Sequence, residues 1–313
     1  MDVLTPYYAD ESVTLWHGDA LAVLREMPAE SVDCVVTSPP YFGLRDYGVE
    51  GQQGAESSPA EYVAGMVVVF AEVRRVLAAD GTCWLNLGDS YAANRSYQVS
   101  QSKHAALDYG KSNATKVPDG MKAKDLMGVP WMTALALRAD VWWLRSEIIW
   151  SKPNAMPESV TDRVSGKHEH LFMLTRSDRY WFDLEPIKVE VVKGSAGSKF
   201  DTGKTAAHQL RRASTAPRAD ADLRNPGDVW TLPTQPFAEA HFATMPVALA
   251  ERCVLAGCKP GGTVLDPYSG SGTTGLAATR HGRRYVGIDL NADYLDLSLR
   301  TRLAQTALIE EPA

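Results

Sequence analysis

Apolar residues follow two patterns along the chain, one typical of buried strands and the other of helices. Runs such as 32–36 are short, β-branched and apolar, which indicates strands buried on both faces of a parallel sheet. In segments such as 60–78, apolar residues recur at helical spacing. The predicted strands are 14–16, 32–36, 82–87, 146–150, 171–175, 180–182, 263–265 and 284–289, and the predicted helices are 20–27, 60–78, 126–138, 246–255, 276–278 and 294–309.

Other segments show neither period, and their composition predicts loops. The glycine-rich stretch 42–59 is predicted to be a mobile loop, 94–124 a long insertion, and 185–228 a locally basic, aperiodic region. The short polar turn Ser177-Asp178 separates two predicted strands, which predicts a β-hairpin there. The whole pattern is that of an α/β chain with long inserted loops.

One strand end carries an unusual combination of groups, in the stretch Thr37-Ser38-Pro39-Pro40-Tyr41. Proline has no N–H to donate, so the chain must leave the sheet there with carbonyls free to accept. The stretch offers a hydroxyl, uncommitted carbonyls and a flat ring at the carboxyl end of a strand, where open α/β sheets bind ligands. These groups suit a planar base that carries an amino group. The simpler interpretation is a strand-to-loop turn with a surface aromatic ring.

A second strand end is rich in glycine and carries an acid. The stretch from Asp266 to Gly275 follows the apolar run 263–265 and precedes a helical pattern. Its Gly-x-Gly-x-x-Gly spacing also fits a dinucleotide loop, but Asp266 would repel a pyrophosphate and can accept from an ammonium group. Asp289 ends the following strand, where it could take both ribose hydroxyls. Only a short tail follows Gly275, so the remaining strands of a doubly wound sheet must come from earlier in the chain.

Together, the two stretches resemble the amino-methyltransferases of DNA, which methylate the exocyclic nitrogen of cytosine or adenine with S-adenosylmethionine. Because the Ser-Pro-Pro-Tyr stretch comes first, the chain is similar to the permuted beta group of that family. The resemblance covers 15–289. It implies a Rossmann-like class I methyltransferase sheet, mostly parallel with an antiparallel hairpin strand, circularly permuted and carrying a loop-rich target-recognition insert.

The resemblance also implies which residues form the site. The implied catalytic residues are Ser38, Pro39, Pro40 and Tyr41. Those implied to bind S-adenosyl-L-methionine are Asp19, Thr37, Phe242, Thr244, Asp266, Pro267, Tyr268, Gly270, Gly272, Thr273, Thr274 and Asp289. The basic residues that fall where the family carries its target-recognition segment are Lys188, Lys193, Lys199, Lys204, Arg211 and Arg212. For Asp19, capping of the helix 20–27 is an equally good explanation, and each single basic residue is equally well explained by a solvated loop.

The expected reaction follows from the chemistry of the amino group. Its lone pair is conjugated into the base, and acceptors that hold both hydrogens out of the ring plane would make it available. We expect the Ser38 hydroxyl and the Pro39 carbonyl to be those acceptors, and Tyr41 to stack on a base that has left the duplex. In the family, Ser at the first motif position usually goes with cytosine N4 and Asp with adenine N6. Cytosine is therefore the favoured target and adenine the alternative.

The implied organisation is one methyltransferase domain interrupted by an insert. Residues 1–185 form its catalytic half, with the insertion 94–124, while 186–228 form the target-recognition region and 229–313 the cofactor-binding half. The implied partner is double-stranded DNA, joined in a restriction system by a cognate restriction endonuclease. Both a monomer and a homodimer are compatible with the sequence.

Composition and charge narrow the function classes. The net charge of −6 over 313 residues argues against indiscriminate nucleic-acid binding, but six bases against two acids make 186–217 positive by four. No apolar run reaches the eighteen or so residues of a membrane span and the start lacks a signal peptide, so we expect a cytoplasmic protein. Neither the four cysteines nor Lys167-His168-Glu169-His170 have the spacing of a metal site, and we expect no metal.

Three other classes stay open at this point. A nucleotide-dependent oxidoreductase would use the glycine loop but would leave the stretch 38–41 without a role. A catalytically silent DNA-binding protein of the same fold would keep both motifs. Methylation of RNA or of a protein glutamine uses a motif of similar type, although the separate basic insert favours DNA.

Overall fold

The computed structural model describes residues 5–43, 51–92, 117–190, 223–235 and 245–303. Within these ranges the chain forms a nine-stranded sheet covered by helices and a small two-stranded sheet. The strands are β1 (Tyr8–Ala9), β2 (Val13–His17), β3 (Val32–Thr37), β4 (Leu77–Leu87), β5 (Trp143–Ser151), β6 (His168–Thr175), β7 (Val189–Glu190), β8 (Leu223–Arg224), β9 (Val229–Thr231), β10 (Thr263–Asp266) and β11 (Arg284–Asp289). The helices are α1 (Ala20–Glu26), α2 (Pro59–Val76), α3 (Val129–Ala139), α4 (Val247–Gly257), α5 (Thr273–Arg280) and α6 (Ala292–Ser298). Of these described helices, none has the length and apolar character needed to cross a membrane.

The large sheet has the strand order β1-β2-β11-β10-β3-β4-β6-β5-β9. All neighbouring strands from β2 to β4 are parallel. Strand β6 runs antiparallel to both of its neighbours, β4 and β5, and the short edge strand β1 runs antiparallel to β2. The predicted α/β class, with a mostly parallel sheet and an antiparallel hairpin strand, is confirmed.

The late strands β10 and β11 lie between two early strands, β2 and β3. From β10 the chain passes through α5 to β11 on one side, whereas from β3 it passes through α2 to β4 on the other. The strand order therefore reverses between β10 and β3. A crevice opens at such a reversal, outside the carboxyl ends of the strands, and both sequence motifs begin at these two ends.

The core consists of two apolar layers, one on each face of the large sheet. Val35 of β3 packs with α1, α2 and α3, including Phe70 of α2. Its neighbours Cys34 and Val36 point to the opposite face and pack with α4 and α5. All three β3 side chains are fully buried, as the uninterrupted apolar run in 32–36 predicted.

The predicted hairpin between 171–175 and 180–182 is wrong. Residues 171–175 belong to β6, whose two edges are already paired with β4 and β5, so no edge remains for a further strand. Residues 180–182 are irregular and pack on the sheet instead, with the Phe182 ring stacked 6.4 Å from that of Trp84. The antiparallel partner that follows β5 in the chain is β6 itself, and the two strands pair along their whole length.

Three long loop predictions fall partly outside the described residues, and of 42–59 the structure describes 42–43 and 51–59. Of 94–124, the structure describes 117–124 as irregular chain; of 185–228, it describes both ends. Those ends meet in the two-stranded sheet, where β7 pairs with β8. The predicted terminal helix 294–309 corresponds to α6 followed by a π-helical turn, Leu299–Leu303, and 304–313 lie outside the described residues.

Glycine substitutions should distinguish tight from open packing around the sheet. A Cβ on Gly257, at the end of α4, would collide with the Thr82 hydroxyl and with the Trp84 indole nitrogen. We expect Gly257→Ala to destabilise the protein by about 1–3 kcal/mol, because the buried neighbours must shift. Urea unfolding, followed by circular dichroism, measures this change.

Gly65 provides the matched control inside α2. Its added Cβ would meet nothing closer than 4.0 Å, so Gly65→Ala should stabilise by about 0.5–1 kcal/mol through the lower backbone entropy of the unfolded chain. Equal effects of the two substitutions would contradict the described packing of α4 against β4.

Candidate functional site

A cavity of about 240 Å³ opens at the carboxyl ends of β3 and β10. Residues from both sequence motifs line it. Those on the β3 side include Ser38, Pro39, Pro40 and Tyr41, and those on the β10 side include Asp266, Pro267, Tyr268, Gly270, Thr273 and Thr274. Asp19 and Asp289 also reach it. Two stretches that are more than 220 residues apart therefore share one site.

The two motif strands are tied together by a buried hydrogen bond. The Thr37 hydroxyl donates to the Asp266 carboxylate over 2.6 Å, and both residues are buried. A second hydroxyl, that of Thr274, donates to the Val36 carbonyl over 3.1 Å. Because burial disfavours the charged form, it raises the pKa of Asp266 to about 6, against the lowering effect of the Thr37 hydroxyl and the Tyr268 N–H.

The glycine-rich turn is closed by the acid of the next strand. Gly270 and Gly272 have φ angles of 51° and 77°, in the left-handed region that favours glycine. The Asp289 carboxylate accepts from the Gly270 N–H over 2.7 Å and from the Asn291 N–H over 2.8 Å. Burial raises the pKa of Asp289 as well, partly offset by these two N–H donors. A Cβ on Gly272 would lie 2.8 Å from Ser298, so this glycine also permits close packing of α5 against α6.

On the β3 side, four polar side chains form one hydrogen-bonded cluster. The Tyr41 hydroxyl donates to Glu169 over 2.7 Å and lies 3.1 Å from the Ser38 hydroxyl. The Asn86 side-chain amide lies 2.7 Å from both the Tyr41 oxygen and Glu169, and 3.4 Å from Ser38. Tyr41 is thus a half-buried, fixed group and not a free surface ring.

Glu169 also forms an ion pair with Lys152, and both side chains are largely buried, at 15% and 17% exposure. The Lys152 ammonium lies over the Trp150 ring, 4.4 Å from its centre. Both ion-pair partners line the cavity. From the sequence, Glu169 is considered only as a possible metal ligand, and neither Lys152 nor Asn86 is predicted to be a site residue. For Asn86, the sequence does contain a signal of a functional residue, because its polar amide stands within the largely apolar strand run 82–87.

The described part of the glycine-rich loop 42–59 packs over the cavity. Gln53 lines the cavity and accepts from the Tyr268 hydroxyl. The Gly54 carbonyl accepts from Gly43 over 2.8 Å, and the Tyr62 hydroxyl of α2 donates to the Pro40 carbonyl over 3.0 Å. The loop therefore connects the Ser-Pro-Pro-Tyr stretch to the glycine-rich side of the site.

The structure shows Asp19 both as the N-cap of α1 and as a residue of the cavity wall. Its carboxylate caps α1 by accepting from the Ala22 N–H over 2.9 Å, and the same residue lines the cavity. The helix cap fixes the position of the carboxylate at the cavity edge.

Of the remaining predicted site residues, the structure describes only Lys188. Lys188 pairs with Glu185 over 2.7 Å and is only 18% exposed, so its charge is largely compensated. The others lie outside the described residues: Lys193, Lys199, Lys204, Arg211, Arg212, Phe242 and Thr244. Among the residues that the structure does describe, no cluster of three potential metal ligands occurs.

Comparison with known families places most of the chain in one of them. Residues 32–300 match the N6/N4 family model described as DNA methylase. The chain is 47% identical to the Type II methyltransferase M.Cfr9I of Citrobacter freundii, over 91% of this chain and 86% of that protein. It is 28% identical to the DNA adenine methyltransferase YhdJ of Escherichia coli K12, over 94% and 82% of the respective chains.

Solved structures share the architecture. PvuII DNA methyltransferase, which is cytosine-N4-specific, superimposes with a TM-score of 0.65 at 18% identity, covering 98% of this chain and 90% of that one. A putative DNA modification methylase of Thermus thermophilus, TTHA0409, in complex with S-adenosyl-L-methionine, has a TM-score of 0.57 at 23% identity, covering 93% and 95%. At such identities the likeness establishes the fold.

Replacement of Thr37 by Val should weaken the link between the two motif strands. The shape is retained, but Asp266 loses a hydrogen bond to its charged form, so its pKa should rise above 6. We expect a loss of about 1–3 kcal/mol in stability. NMR titration of the Asp266 carboxyl carbon and urea unfolding measure the two effects.

Thr133 is the control, because its buried hydroxyl donates only to the Val129 carbonyl of its own helix. Thr133→Val should cost clearly less than Thr37→Val. An unchanged Asp266 pKa in Thr37→Val would show that the hydroxyl does not stabilise the carboxylate.

Proposed function

The chain belongs to the N6/N4 family of DNA methylases, and on that premise we propose that it moves the methyl group of S-adenosyl-L-methionine to the exocyclic N4 of cytosine in double-stranded DNA. The observation that carries this proposal is the single cavity in which the Ser38 and Asp266 stretches face each other. A DNA methyltransferase must hold a nucleoside donor and a target base side by side, and this cavity provides a separate wall for each.

The glycine-rich wall suits the donor. It carries three carboxylates, those of Asp19, Asp266 and Asp289, which match a ligand with positively charged groups and ribose hydroxyls. We assign Asp266 to the ammonium group and Asp289 to the ribose, with Asp19 near the adenosine. Further assigned residues are Thr37, Phe242, Thr244, Pro267, Tyr268, Gly270, Gly272, Thr273 and Thr274. When bound, S-adenosyl-L-methionine supplies a methyl group already activated by its sulfonium.

The β3 wall suits the amino group of the base. The Ser38 hydroxyl and the Pro39 carbonyl are the assigned acceptors that turn the amino hydrogens out of the ring plane and free the nitrogen lone pair. The base has to leave the duplex, since its amino group cannot reach an enclosed cavity while paired. With donor and acceptor held in one cavity, positioning supplies much of the acceleration.

Tyr41 is assigned to stack on the extruded base. Its hydroxyl is held by Glu169 and Asn86, and a Cβ on Gly88 would lie 2.6 Å from its ring. Because Gly88 has no side chain, the Tyr41 ring can pack directly against it. Tyr41 still lines the cavity. A ring fixed in this way presents a preformed surface to a flat base.

The choice of cytosine depends on Ser38. In the enzymes that this chain resembles, a hydroxyl at the first motif position usually goes with methylation of cytosine N4, whereas a carboxylate goes with methylation of adenine N6. Adenine N6 is the second candidate, favoured by the similarity to YhdJ over 94% of the chain. Both targets use the same chemistry at the amino nitrogen.

The segment 186–228 is assigned to target recognition, between the halves 1–185 and 229–313 of one domain. Its two ends are joined to each other by the pairing of β7 with β8. Its bases Lys193, Lys199, Lys204, Arg211 and Arg212 are assigned to DNA contacts. The name of M.Cfr9I as a Type II methyltransferase supports a role beside a cognate restriction endonuclease.

Removal of the Ser38 hydroxyl should slow methyl transfer without abolishing binding. We expect Ser38→Ala to lower kcat by about 100-fold or more, because one preorganised acceptor is lost from the reacting group. Transfer of labelled methyl to DNA gives the rate, and calorimetry gives the affinity for S-adenosyl-L-methionine, which should stay within about threefold of wild type.

The modified base is identified separately by mass spectrometry of nucleosides from DNA of expressing cells. N4-methylcytosine is the expected product. N6-methyladenine would replace the cytosine assignment with its alternative, and full activity of Ser38→Ala would overturn the assigned role of the hydroxyl.

Donor binding should depend on pH through Asp266. Its pKa of about 6 is raised, so the carboxylate that attracts an ammonium group is lost as pH falls through that value. We expect affinity for S-adenosyl-L-methionine to be about tenfold weaker at pH 5 than at pH 7. Calorimetry measures the trend in wild type and in Asp266→Asn, which should bind weakly at both values. A wild-type affinity that does not change with pH would contradict the assignment.

A further inference from the structure

The cluster around Tyr41 has a determined hydrogen-bond direction. Glu169 as a carboxylate can only accept, so the single Tyr41 proton points at it over 2.7 Å. The Asn86 amide nitrogen can only donate, so the Tyr41 oxygen accepts from it over 2.7 Å. The contact of 3.1 Å between Ser38 and Tyr41 must then be donated by Ser38. The chain of donors therefore runs from Ser38 to Tyr41 to Glu169.

This direction decides which part of Ser38 faces the cavity. With its only proton directed at Tyr41, the Ser38 oxygen presents lone pairs elsewhere, including toward the cavity that it lines. An oxygen in that state accepts a hydrogen bond from an amino group. In the opposite direction, the Ser38 proton would be free to point at the amino group and repel its hydrogens.

Lys152 forms an ion pair with Glu169. The ion pair occupies one carboxylate oxygen while Tyr41 and Asn86 use the other. Both partners are largely buried, so loss of either would leave an uncompensated charge. Lys152 is itself held over the Trp150 ring, and its ammonium contacts the Glu169 oxygen that Tyr41 does not use.

We propose that Glu169, held by Lys152, is a positioning residue that acts through Tyr41 to set the Ser38 hydroxyl as an acceptor for the target amino group. This inference rests on the proposed function. It adds a residue that acts through Tyr41 and needs no contact with the methyl donor or the target base. The sequence motif supplies the acceptor, and Glu169 supplies its orientation.

Glu169→Gln tests the direction because it reverses the chain. Lys152 requires an acceptor, so the Gln carbonyl faces Lys152 and the amide nitrogen donates to Tyr41. The Asn86 amide then loses its acceptor at position 169 and keeps those on Tyr41 and Ser38, so Tyr41 receives both donors and in turn donates to Ser38. We expect kcat to fall by about 100-fold, with KM for DNA and affinity for S-adenosyl-L-methionine within about threefold of wild type. Unchanged kcat would overturn the proposal.

In a Ser38→Asp variant, the Glu169→Gln substitution should change kcat in the opposite direction. A carboxylate at position 38 only accepts, and in the presence of Glu169 it has no proton to receive from Tyr41. Glu169→Gln releases that proton, so the double variant should have a higher kcat than Ser38→Asp alone. A merely structural role predicts that Glu169→Gln lowers kcat in both backgrounds, and that result would overturn the proposal.

Glu147→Gln is the matched control, since it makes the same change on the neighbouring strand, where Glu147 contacts His170 over 2.6 Å. It should leave kcat within about twofold of wild type. A large loss in Glu147→Gln would show that any carboxylate lost from β5 or β6 damages the site, and it would overturn the specific role of Glu169.

A measurement independent of methyl transfer separates this inference from the proposed function. Burial and then the charge of Glu169 raise the pKa of Tyr41, so Glu169→Gln should lower it. Fluorine NMR of the full chain with 3-fluorotyrosine at position 41 follows the titration. An unchanged Tyr41 pKa overturns the hydrogen-bond chain even in an active enzyme. A wild-type protein that methylates no DNA, but shows the lowered pKa, would instead refute the proposed function alone.

Discussion

The buried hydrogen bond between Thr37 and Asp266 is the constraint on which the site depends. It joins the carboxyl ends of β3 and β10 at the point where the strand order reverses. A crevice forms there in any open α/β sheet, but here the two strands come from distant parts of the chain. Because a buried carboxylate is costly without donors, the hydroxyl and the acid stabilise each other, and this holds the two motifs on one cavity.

The two walls of the cavity differ in charge. On the glycine-rich wall, Asp266 and Asp289 are buried carboxylates with raised pKa values and backbone N–H donors. On the opposite wall, Glu169 is neutralised by Lys152. A cationic group is therefore favoured on one side, and an uncharged group on the other.

The pattern of apolar residues predicted most helices and strands correctly. It failed where the result depended on which strands pair with each other. The apolar run 32–36 is buried on both faces, as its composition requires. The strand expected at 180–182 does not form, although its aromatic composition favours one, because β4 and β5 already occupy both edges of β6. Local propensity cannot report whether a sheet edge is free, and only the assembled sheet decides it.

The sequence by itself determined the two motifs, their strand ends and the permuted order, because proline, glycine and β-branched runs act through local backbone geometry. It did not determine the polar cluster behind Ser38. Asn86 and Glu169 lie on strands that are adjacent only through antiparallel pairing, and Lys152, just after the end of β5, reaches Glu169 on the paired strand β6. Those contacts depend on register, which is set by long-range packing. Tertiary structure alone therefore decided how the Ser38 hydroxyl is oriented.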